Sequence, residues 1–152
     1  MPETPDPPTA AIHDAALQRL RTDGQRYTQS RRQIVDALAG ATDPQTIVQL
    51  LGNAPGLAQS SAYRNLAVLE SADVVHRIVT SDNHAHFELT EDITGSHHHH
   101  LVCTVCGIVL DVDLSENLEH QLHEELGAVA ATRGFSGAHH RVDVIGVCGA
   151  CS

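Results

Sequence analysis

The stretch GSHHHHLVCTVCG, residues 95–107, places four consecutive histidines and two cysteines within thirteen positions. Its cysteines, Cys103 and Cys106, are separated by two residues, a spacing that lets both thiolates of one turn face a single ion. A second pair with the same spacing, Cys148 and Cys151, follows after 41 intervening residues. Four thiolates make a tetrahedral shell that suits Zn²⁺, so the sequence predicts a structural zinc site, with two disulfides or a redox dithiol as alternatives.

The four histidines precede the cysteines in the apolar run HHLVC, which is typical of a β-strand. Side chains alternate between the two faces of a strand, so we expect His97 and His99 to face one way and His98 and His100 the other. The internal position of the run argues against a purification-tag remnant. The pattern therefore predicts two metal sites on opposite faces of one strand, with a solvated or merely structural histidine cluster as the alternative.

Further side chains able to bind metals are spread along the chain, and ten of its twelve histidines lie between His84 and His140. On the helix predicted for the second half, Glu119 and His123 are four residues apart and His120 is three before His123, so one face can offer two ligands. Taken singly, each such residue is more often a surface residue than a ligand. The candidates are His76, His84, His86, Glu88, Asp111, Glu119, His123, His139 and His140.

Charge is distributed unevenly along the 152 residues, whose formal net charge is −10. Residues 1–80 carry seven arginines and eight acids, a net −1, whereas residues 81–152 carry two arginines and eleven acids, a net −9. The total charge therefore does not exclude a nucleic-acid-binding first half beside an acidic, sensing second half. Aromatic residues make up only 3% of the chain, which favours small aliphatic cores stabilised by metal or by dimerisation.

The first residues, MPETPDPPTA, are acidic and rich in proline. They lack the basic and apolar regions of a signal peptide, and we expect a disordered lead over residues 1–10. No apolar run approaches the roughly 18–20 residues of a membrane span, so no membrane partner is expected. We therefore expect a cytoplasmic protein, in which cysteines stay reduced and serve as metal ligands.

Periodic apolar residues in the first half predict four short helices, followed by two strands around the turn SDN. Thr28 is the expected cap of the second helix, and Asp43 with Pro44 at the first helical position is expected to start the third. Ser60 or Ser61 is expected to cap the fourth helix. The helices are expected at about 11–21, 28–40, 44–52 and 60–71.

Helices followed by a β-hairpin predict a winged helix-turn-helix domain over residues 11–82, with 44–52 and 60–71 as its two key helices. Residues 83–96 are expected to end the wing and form a hinge. A second domain over 97–152 contains a hairpin around CTVCG, a helix from about Ser115 to Thr132 and a last strand in HHRVDVIGVC. The predicted fold class is α+β, with a winged helix domain followed by a small α/β dimerisation domain that carries the Cys₄ zinc site.

Four longer stretches are more specific than any single motif: LRTDGQRYTQSRRQIVDAL, SSAYRNLAVLESADVV, FELTEDITGSHHHHLVCTVCG and GVCGAC. Together they make residues 17–151 resemble the ferric uptake regulator family of metal-sensing repressors. The resemblance implies a homodimer of winged helix domains that binds double-stranded DNA at a palindromic operator. It also implies that metal binding closes the dimer onto that operator.

The resemblance implies three metal sites. The four cysteines fall on the family's structural zinc site. The interdomain sensory site corresponds to Glu88, His98 and His100, with Asp111 on an acid that some members add. The second site, within the dimerisation domain, corresponds to His97, His99, Glu119 and His140.

Several positions depart from the family pattern. Asp43 stands where many members carry a histidine ligand, and His76 is the candidate that replaces it, with Asp43 as the alternative. His99 stands where iron sensors commonly carry Asp, and Thr90 where many zinc sensors carry Cys. The sensory ligands are then all nitrogen and oxygen, which Fe²⁺, Zn²⁺, Mn²⁺ or Ni²⁺ accept, so one or two such ions are expected beside the structural zinc.

Two further points follow from the resemblance. His123 is the rival of Glu119 in the second site, because the helix is about one turn longer than usual. Peroxide sensing is disfavoured, since peroxide sensors of the family usually carry Asp where Glu88 stands.

Tyr63 and Arg64, in SAYRNL, fall where the family's recognition helix meets DNA. Arginine can bond a guanine edge through two hydrogen bonds, and tyrosine can pack on a thymine methyl group or reach a phosphate. An ordinary solvated arginine face is the alternative reading. The other candidate DNA contacts, which are expected mainly at phosphates, are Arg26, Arg31, Arg32, Ser60 and Ser61.

The sequence therefore predicts a metal-dependent transcriptional repressor of iron or zinc homeostasis rather than an enzyme. A metal storage or chaperone protein is the first alternative, because the histidine content suits it. A zinc-dependent hydrolase is the second, but neither H-E-x-x-H nor G-x-S-x-G occurs in the chain.

Overall fold

A computed structural model describes residues 8–80 and 83–152 of the chain. The described residues form two compact units, of which the first ends at Ser96 and the second begins at His97. Residues 1–7 of the expected disordered lead lie outside the described residues, as do Ser81 and Asp82 of the SDN turn. The lead was expected to reach residue 10, but the first helix already begins at Thr9.

The first unit combines four helices, a three-stranded sheet and a final helical turn. Its sheet has the order β1-β3-β2, and both strand pairs are antiparallel. The β2–β3 hairpin confirms the predicted wing. No helix within 8–80 or 83–152 is long and apolar enough to cross a membrane. The elements are α1 Thr9–Thr22, α2 Gln29–Ala39, β1 Gln45–Thr46, α3 Ile47–Gly52, α4 Gln59–Ser71, β2 Val75–Val79, β3 Ala85–Leu89 and α5 Glu91–Thr94.

The core of the first unit is aliphatic, as the composition predicted. On α1, Ile12, Ala16 and Leu20 are buried at four-residue spacing, which places them on one face of the helix. The α4 helix contributes Leu66 and Leu69 to the same core. This packing fixes α4 against α2 and leaves its opposite face to solvent.

The predicted start of the third helix at Asp43 and Pro44 is wrong. Residues 45–46 instead pair with β3 as a short strand, and this pairing keeps the backbone extended up to Thr46. There Thr46 and Gln49 cap each other's backbone N–H groups, a reciprocal arrangement that satisfies two donors at the helix start. Pairing with the wing therefore shortens this helix to six residues.

The predicted caps of the fourth helix are also wrong, whereas that of the second is right. The α4 helix begins at Gln59, and Ala58 occupies the cap position without a side-chain hydrogen bond. Ser60 and Ser61 therefore lie within the first turn. In α2, the hydroxyl of Thr28 accepts the backbone N–H of Arg31, as predicted.

The second unit is a three-stranded sheet with one helix, and β4 is its central strand. The order is β5-β4-β6, with β4 antiparallel to β5 and parallel to β6. Ser115 caps α6 through its hydroxyl, and the helix ends at Thr132, as the sequence predicted. The elements are β4 His99–Cys103, β5 Val109–Val112, α6 Glu116–Thr132 and β6 Asp143–Gly146.

A polar cluster joins α1, α2 and the turn between them. The Nδ1 atom of His13 is hydrogen-bonded to the hydroxyl of Tyr27, and its Nε2 atom lies 2.7 Å from Oδ1 of Asp36. The guanidinium of Arg32 stacks over the Tyr27 ring at 4.6 Å from its centroid. Burial raises the pKa of Tyr27 to about 12, with Arg32 opposing this shift and Asp36 adding to it.

We expect the raised pKa of Tyr27 to be measurable in an alkaline titration. Replacing Tyr63 with Phe leaves Tyr27 as the only tyrosine, because the chain contains two. The ultraviolet absorbance of tyrosinate should then appear with a midpoint near pH 12 in the folded protein. Since the folded pKa lies above the ordinary value of 10.0, the stabilisation from neutral Tyr27 is complete below pH 10.0 and declines towards pH 12. A folded-state midpoint near 10 contradicts the described packing.

Candidate metal centres and DNA-contacting surface

The four cysteines converge in the second unit. Cys103 ends β4, Cys106 follows in the adjoining turn, and the other pair follows β6, which runs beside β4. The four sulfur atoms lie within 4.8 Å of one another, and the Sγ atoms of Cys106 and Cys148 are 3.8 Å apart. A tetrahedron with Zn–S bonds of about 2.3 Å has edges of about 3.8 Å. The thiols are free and their spacing fits one zinc ion.

The thiols differ in acidity. Backbone N–H groups of Cys106 and Cys148 lower the pKa of Cys103 to about 6, so that this sulfur is a thiolate at neutral pH. The neighbouring sulfurs of Cys148 and Cys106 raise the pKa of Cys151 to about 12. A bound cation stabilises all four sulfurs as thiolates and offsets the mutual repulsion that raises the pKa of Cys151. The cluster is therefore chemically complete only with a metal ion.

A second group of ligand atoms lies between β4 and α6. The Nε2 atoms of His97 and His140 are 3.3 Å and 2.9 Å from Oε2 of Glu119, and Nε2 of His99 contacts Oε1 of the same carboxylate. Burial alone raises the pKa of Glu119, but hydrogen bonds from His99 and His140 hold it below its usual value. The donor atoms of His123 are not part of this group, so the structure brings Glu119 rather than His123 to the three histidines.

The opposite face of β4 presents a third group. The Nε2 atoms of His98 and His100 each lie 3.6 Å from Oδ1 of Asp111. The strand register explains this arrangement, because His100 pairs with Asp111 of β5 on one side and with Asp143 of β6 on the other. Nδ1 of His100 donates to Oδ1 of Asp143 at 3.2 Å, so Nε2 is the ring nitrogen that faces Asp111. These three donors lie within 4.8 Å of one another, a spacing that allows them to bind one common ion.

The remaining two candidates for the sensory site belong to the first unit. Glu88 on β3 pairs with His76 on β2, and the Nδ1 atom of His76 lies 3.2 Å from Oε1 of Glu88. The Glu88 side chain is only 13% exposed. The pair therefore places a carboxylate and an imidazole, two possible metal ligands, side by side on the strands of the wing. The rival of His76, Asp43, lies in the segment before β1.

The candidate DNA contacts lie on or near α4 and α2. Tyr63 is 48% exposed on α4, and Arg64 and Ser60 are exposed beside it, whereas Ser61 is half-buried. Arg31 is engaged within the unit, because its Nε atom donates to Oδ1 of Asn65 at 3.0 Å.

Arg31 therefore links α2 to the exposed face of α4. Among the candidates for phosphate contact, Arg26 and Arg32 are exposed.

Two residues that position the sites were missed by the sequence analysis. Asn65 accepts from Arg31 and donates to the backbone carbonyl of Ser61, so it braces α4 against α2. Asp143 orients His100 from β6. Of the two, only Asn65 could have been noticed in the sequence, because it lies within the motif AYRNL. The role of Asp143 depends on a parallel strand pairing between residues 43 positions apart.

Comparisons with known proteins agree with this architecture. The family model described as Ferric uptake regulator family matches residues 22–145. The Peroxide operon regulator of Bacillus subtilis (strain 168) is 30% identical over 141 residues, which cover 90% of this chain and 91% of that protein. The Peroxide-responsive repressor PerR of Staphylococcus aureus (strain USA300) is 28% identical over 142 residues, 91% of this chain and 90% of that protein.

A solved structure, of the Helicobacter pylori ferric uptake regulator Fur, matches with a TM-score of 0.70 at 17% sequence identity. The match covers 95% of this chain and 94% of that one. That structure is described as revealing three functional metal binding sites. At this level of identity the match supports the fold.

Fold, clustered metal ligands and matches define one class of protein, the metal-responsive transcriptional repressors. The chain belongs to the ferric uptake regulator family. The predicted resemblance, fold class and function are thereby confirmed. The relatives named above are regulators, and the matches support neither the storage protein nor the hydrolase.

Replacing Cys103 with Ser should remove about one zinc ion per chain and destabilise the second unit. The free energy of unfolding should fall by at least about 3 kcal/mol, because the binding energy of a structural zinc is folding free energy. Metal content and chemical denaturation measure the two effects. The matched control is Val105→Ser, an exposed position in the same turn, which should retain both zinc and stability. Full stability of the Cys103 variant contradicts a structural zinc site.

Proposed function

We propose that one divalent ion bridges the two units and thereby activates DNA binding. His98, His100 and Asp111 supply the ligands from the second unit, and Glu88 supplies one from the first, with His76 as a further ligand from the wing. The observation that carries the proposal is the common spacing of the first three, 3.6 Å from each imidazole nitrogen to the carboxylate oxygen. These donors face one point and need at least one more ligand from elsewhere.

The chain connection supports Glu88 as that ligand. Only eight residues separate Leu89, the end of β3, from His98. Of these, Glu91–Thr94 form the turn of α5, which Gly95 ends with a left-handed backbone at φ 72°. A connection this short is compatible with one ion taking ligands from both units.

The proposed ion acts through its differential affinity for two arrangements of the units. When it binds both, it selects the arrangement in which two α4 helices enter successive major grooves. Tyr63 and Arg64 then contact base edges, while Arg26 and Arg32 contact phosphates. Ser60 and Ser61 lie in the first turn of that helix. Residues 97–152 carry seven acids and two arginines, a net charge of −5, which keeps the second unit away from the DNA.

Dimerisation of the second unit is supported by its uncovered apolar surface. The α6 helix buries none of its residues within the chain, although it carries Leu126 and Val129. On β6, an edge strand of the sheet, Val144 and Ile145 are 49% and 67% exposed. A helix and an edge strand that both leave apolar side chains exposed are typical of a surface covered by a second copy. A two-fold dimer implies a palindromic operator.

The types of donor atom in each site indicate which ions that site prefers. The Cys₄ cluster suits zinc in a structural role, whereas the nitrogen and oxygen donors suit Fe²⁺, Zn²⁺, Mn²⁺ or Ni²⁺ as the signal. The site formed by His97, His99, Glu119 and His140 is a second metal site within the dimerisation unit. We assign the protein to the cytoplasm, where its thiols remain reduced and available to zinc.

Peroxide is the second candidate signal, because both relatives named above are peroxide regulators. The residue at position 88 argues against it, since peroxide sensors of the family usually carry Asp where this chain has Glu88. Iron-loaded protein bound to its operator should therefore remain bound when peroxide is added in small excess. Release from the operator at that dose favours the peroxide alternative.

Selection from random DNA duplexes tests the proposed function. Untagged, reduced, zinc-loaded protein is incubated with no added metal, with Zn²⁺ and with anaerobic Fe²⁺. A palindrome recovered under one added metal identifies both the operator and the signal. Absence of an enriched sequence under every condition contradicts the proposal.

Replacing His98 with Ala should abolish the metal-dependent gain in operator affinity, which is about 10- to 100-fold for a typical allosteric coupling. The dimer should remain folded, because the four cysteines are untouched. Fluorescence anisotropy with the selected operator measures the gain. The control is His120→Ala, an exposed histidine on α6 that should leave equilibrium affinity unchanged. If the His98 variant unfolds as Cys103→Ser does, sensing and stability are not divided between the sites.

Replacing Ile145 with Asp should convert the dimer into monomers, because a charge is then placed on the apolar edge strand. Sedimentation velocity measures the change. The matched control is Val48→Asp, which alters a residue that is 75% exposed on the first unit and should leave the dimer intact. A stable dimer of the Ile145 variant contradicts this interface.

A further inference from the structure

A cavity of about 340 Å³ opens beside the second metal site, and histidines line both its sides. Its inner side is formed by His97, Glu119 and His140, whose donor atoms are already gathered. Its outer side is formed by three residues that the proposed function does not use as ligands: His120, His123 and His139. The cavity therefore joins the second metal site to solvent through imidazole side chains.

The fold fixes the positions of these outer histidines. His120 and His123 are three residues apart on α6, which places them on neighbouring turns of the same helix face. His139 immediately precedes His140, a residue of the inner side. All three side chains are exposed, and that of His120 is 69% exposed. Exposed histidines on two segments thus border one opening.

The imidazole donors and the exposure of these side chains fit a weak metal site. Neutral imidazoles prefer ions such as Zn²⁺, Ni²⁺ and Co²⁺. In the described residues, the outer nitrogens are not gathered within 4.8 Å of one another as those of the inner group are, so binding requires the exposed side chains to rotate. Ordering such side chains costs conformational entropy, and this cost lowers the affinity and speeds release.

We propose that His120, His123 and His139 form a labile entry site, which captures a divalent cation from solvent and passes it to the second metal site. An ion held at the outer histidines is present at a high effective concentration for the inner ligands. Transfer exchanges one imidazole at a time, so the ion need not regain its full water shell. Glu124, 3.3 Å from His120, adds a negative charge at the opening. The inference depends on the second metal site of the proposed function.

The test is the rate at which Co²⁺ loads the inner site, followed in the full zinc-loaded dimer by Co²⁺ absorption. The Glu119→Gln variant identifies the part of the signal that belongs to the inner site. A variant with His120→Gln, His123→Gln and His139→Gln should load that site about tenfold more slowly at limiting Co²⁺, with the same final amplitude. The matched control, His84→Gln, removes an exposed histidine of the first unit and should load at the wild-type rate.

Three outcomes overturn the proposal, and they are distinguishable. An unchanged rate in the triple variant means that the outer histidines take no part in loading. A lost final amplitude means that they are ligands of the inner site rather than an entry to it. If wild-type protein gives no signal sensitive to Glu119→Gln, the second metal site of the proposed function fails as well.

Discussion

The metal chemistry of this chain depends on the central position of β4 in the second sheet. Because successive side chains of a strand face opposite ways, one short segment supplies His97 and His99 to one group of ligands and His98 and His100 to another. The same strand ends at Cys103, so its position also determines the thiolate cluster. Pairing with β5 and β6 fixes all three groups at once, and a shift of register by one residue exchanges the two histidine faces.

Local patterns predicted much of this structure, because their spacing has direct geometric meaning. The two Cys-x-x-Cys pairs indicated the zinc cluster, and strand periodicity separated the histidines into the two sets that the structure brings together. The bounds of α6 followed from sequence as well. The family resemblance then singled out Glu119 and His140, which no local pattern places together.

The features that sequence reasoning missed depend on contacts between distant residues. Pairing of residues 45–46 with β3 displaced the helix start from Pro44, a residue whose local preference favoured the earlier start. Asp143 orients His100 only because β6 returns parallel to β4. In the same way, the sequence did not predict that Arg31, a candidate phosphate contact, donates from Nε to Asn65 on the neighbouring helix. Each difference arises where a contact between residues distant in sequence outweighs the local conformational preference of the residues involved.

We propose that metal bound at His98, His100 and Asp111 is coupled energetically to DNA binding. Thermodynamic linkage makes this coupling reciprocal, so the factor by which metal tightens operator binding must equal the factor by which operator tightens metal binding. The most direct measurement is a metal titration of the zinc-loaded dimer with and without its operator, read against a chelator of known affinity. We expect the operator to raise metal affinity by the same factor, and His98→Ala to remove the increase. A metal affinity that does not respond to operator contradicts this coupling.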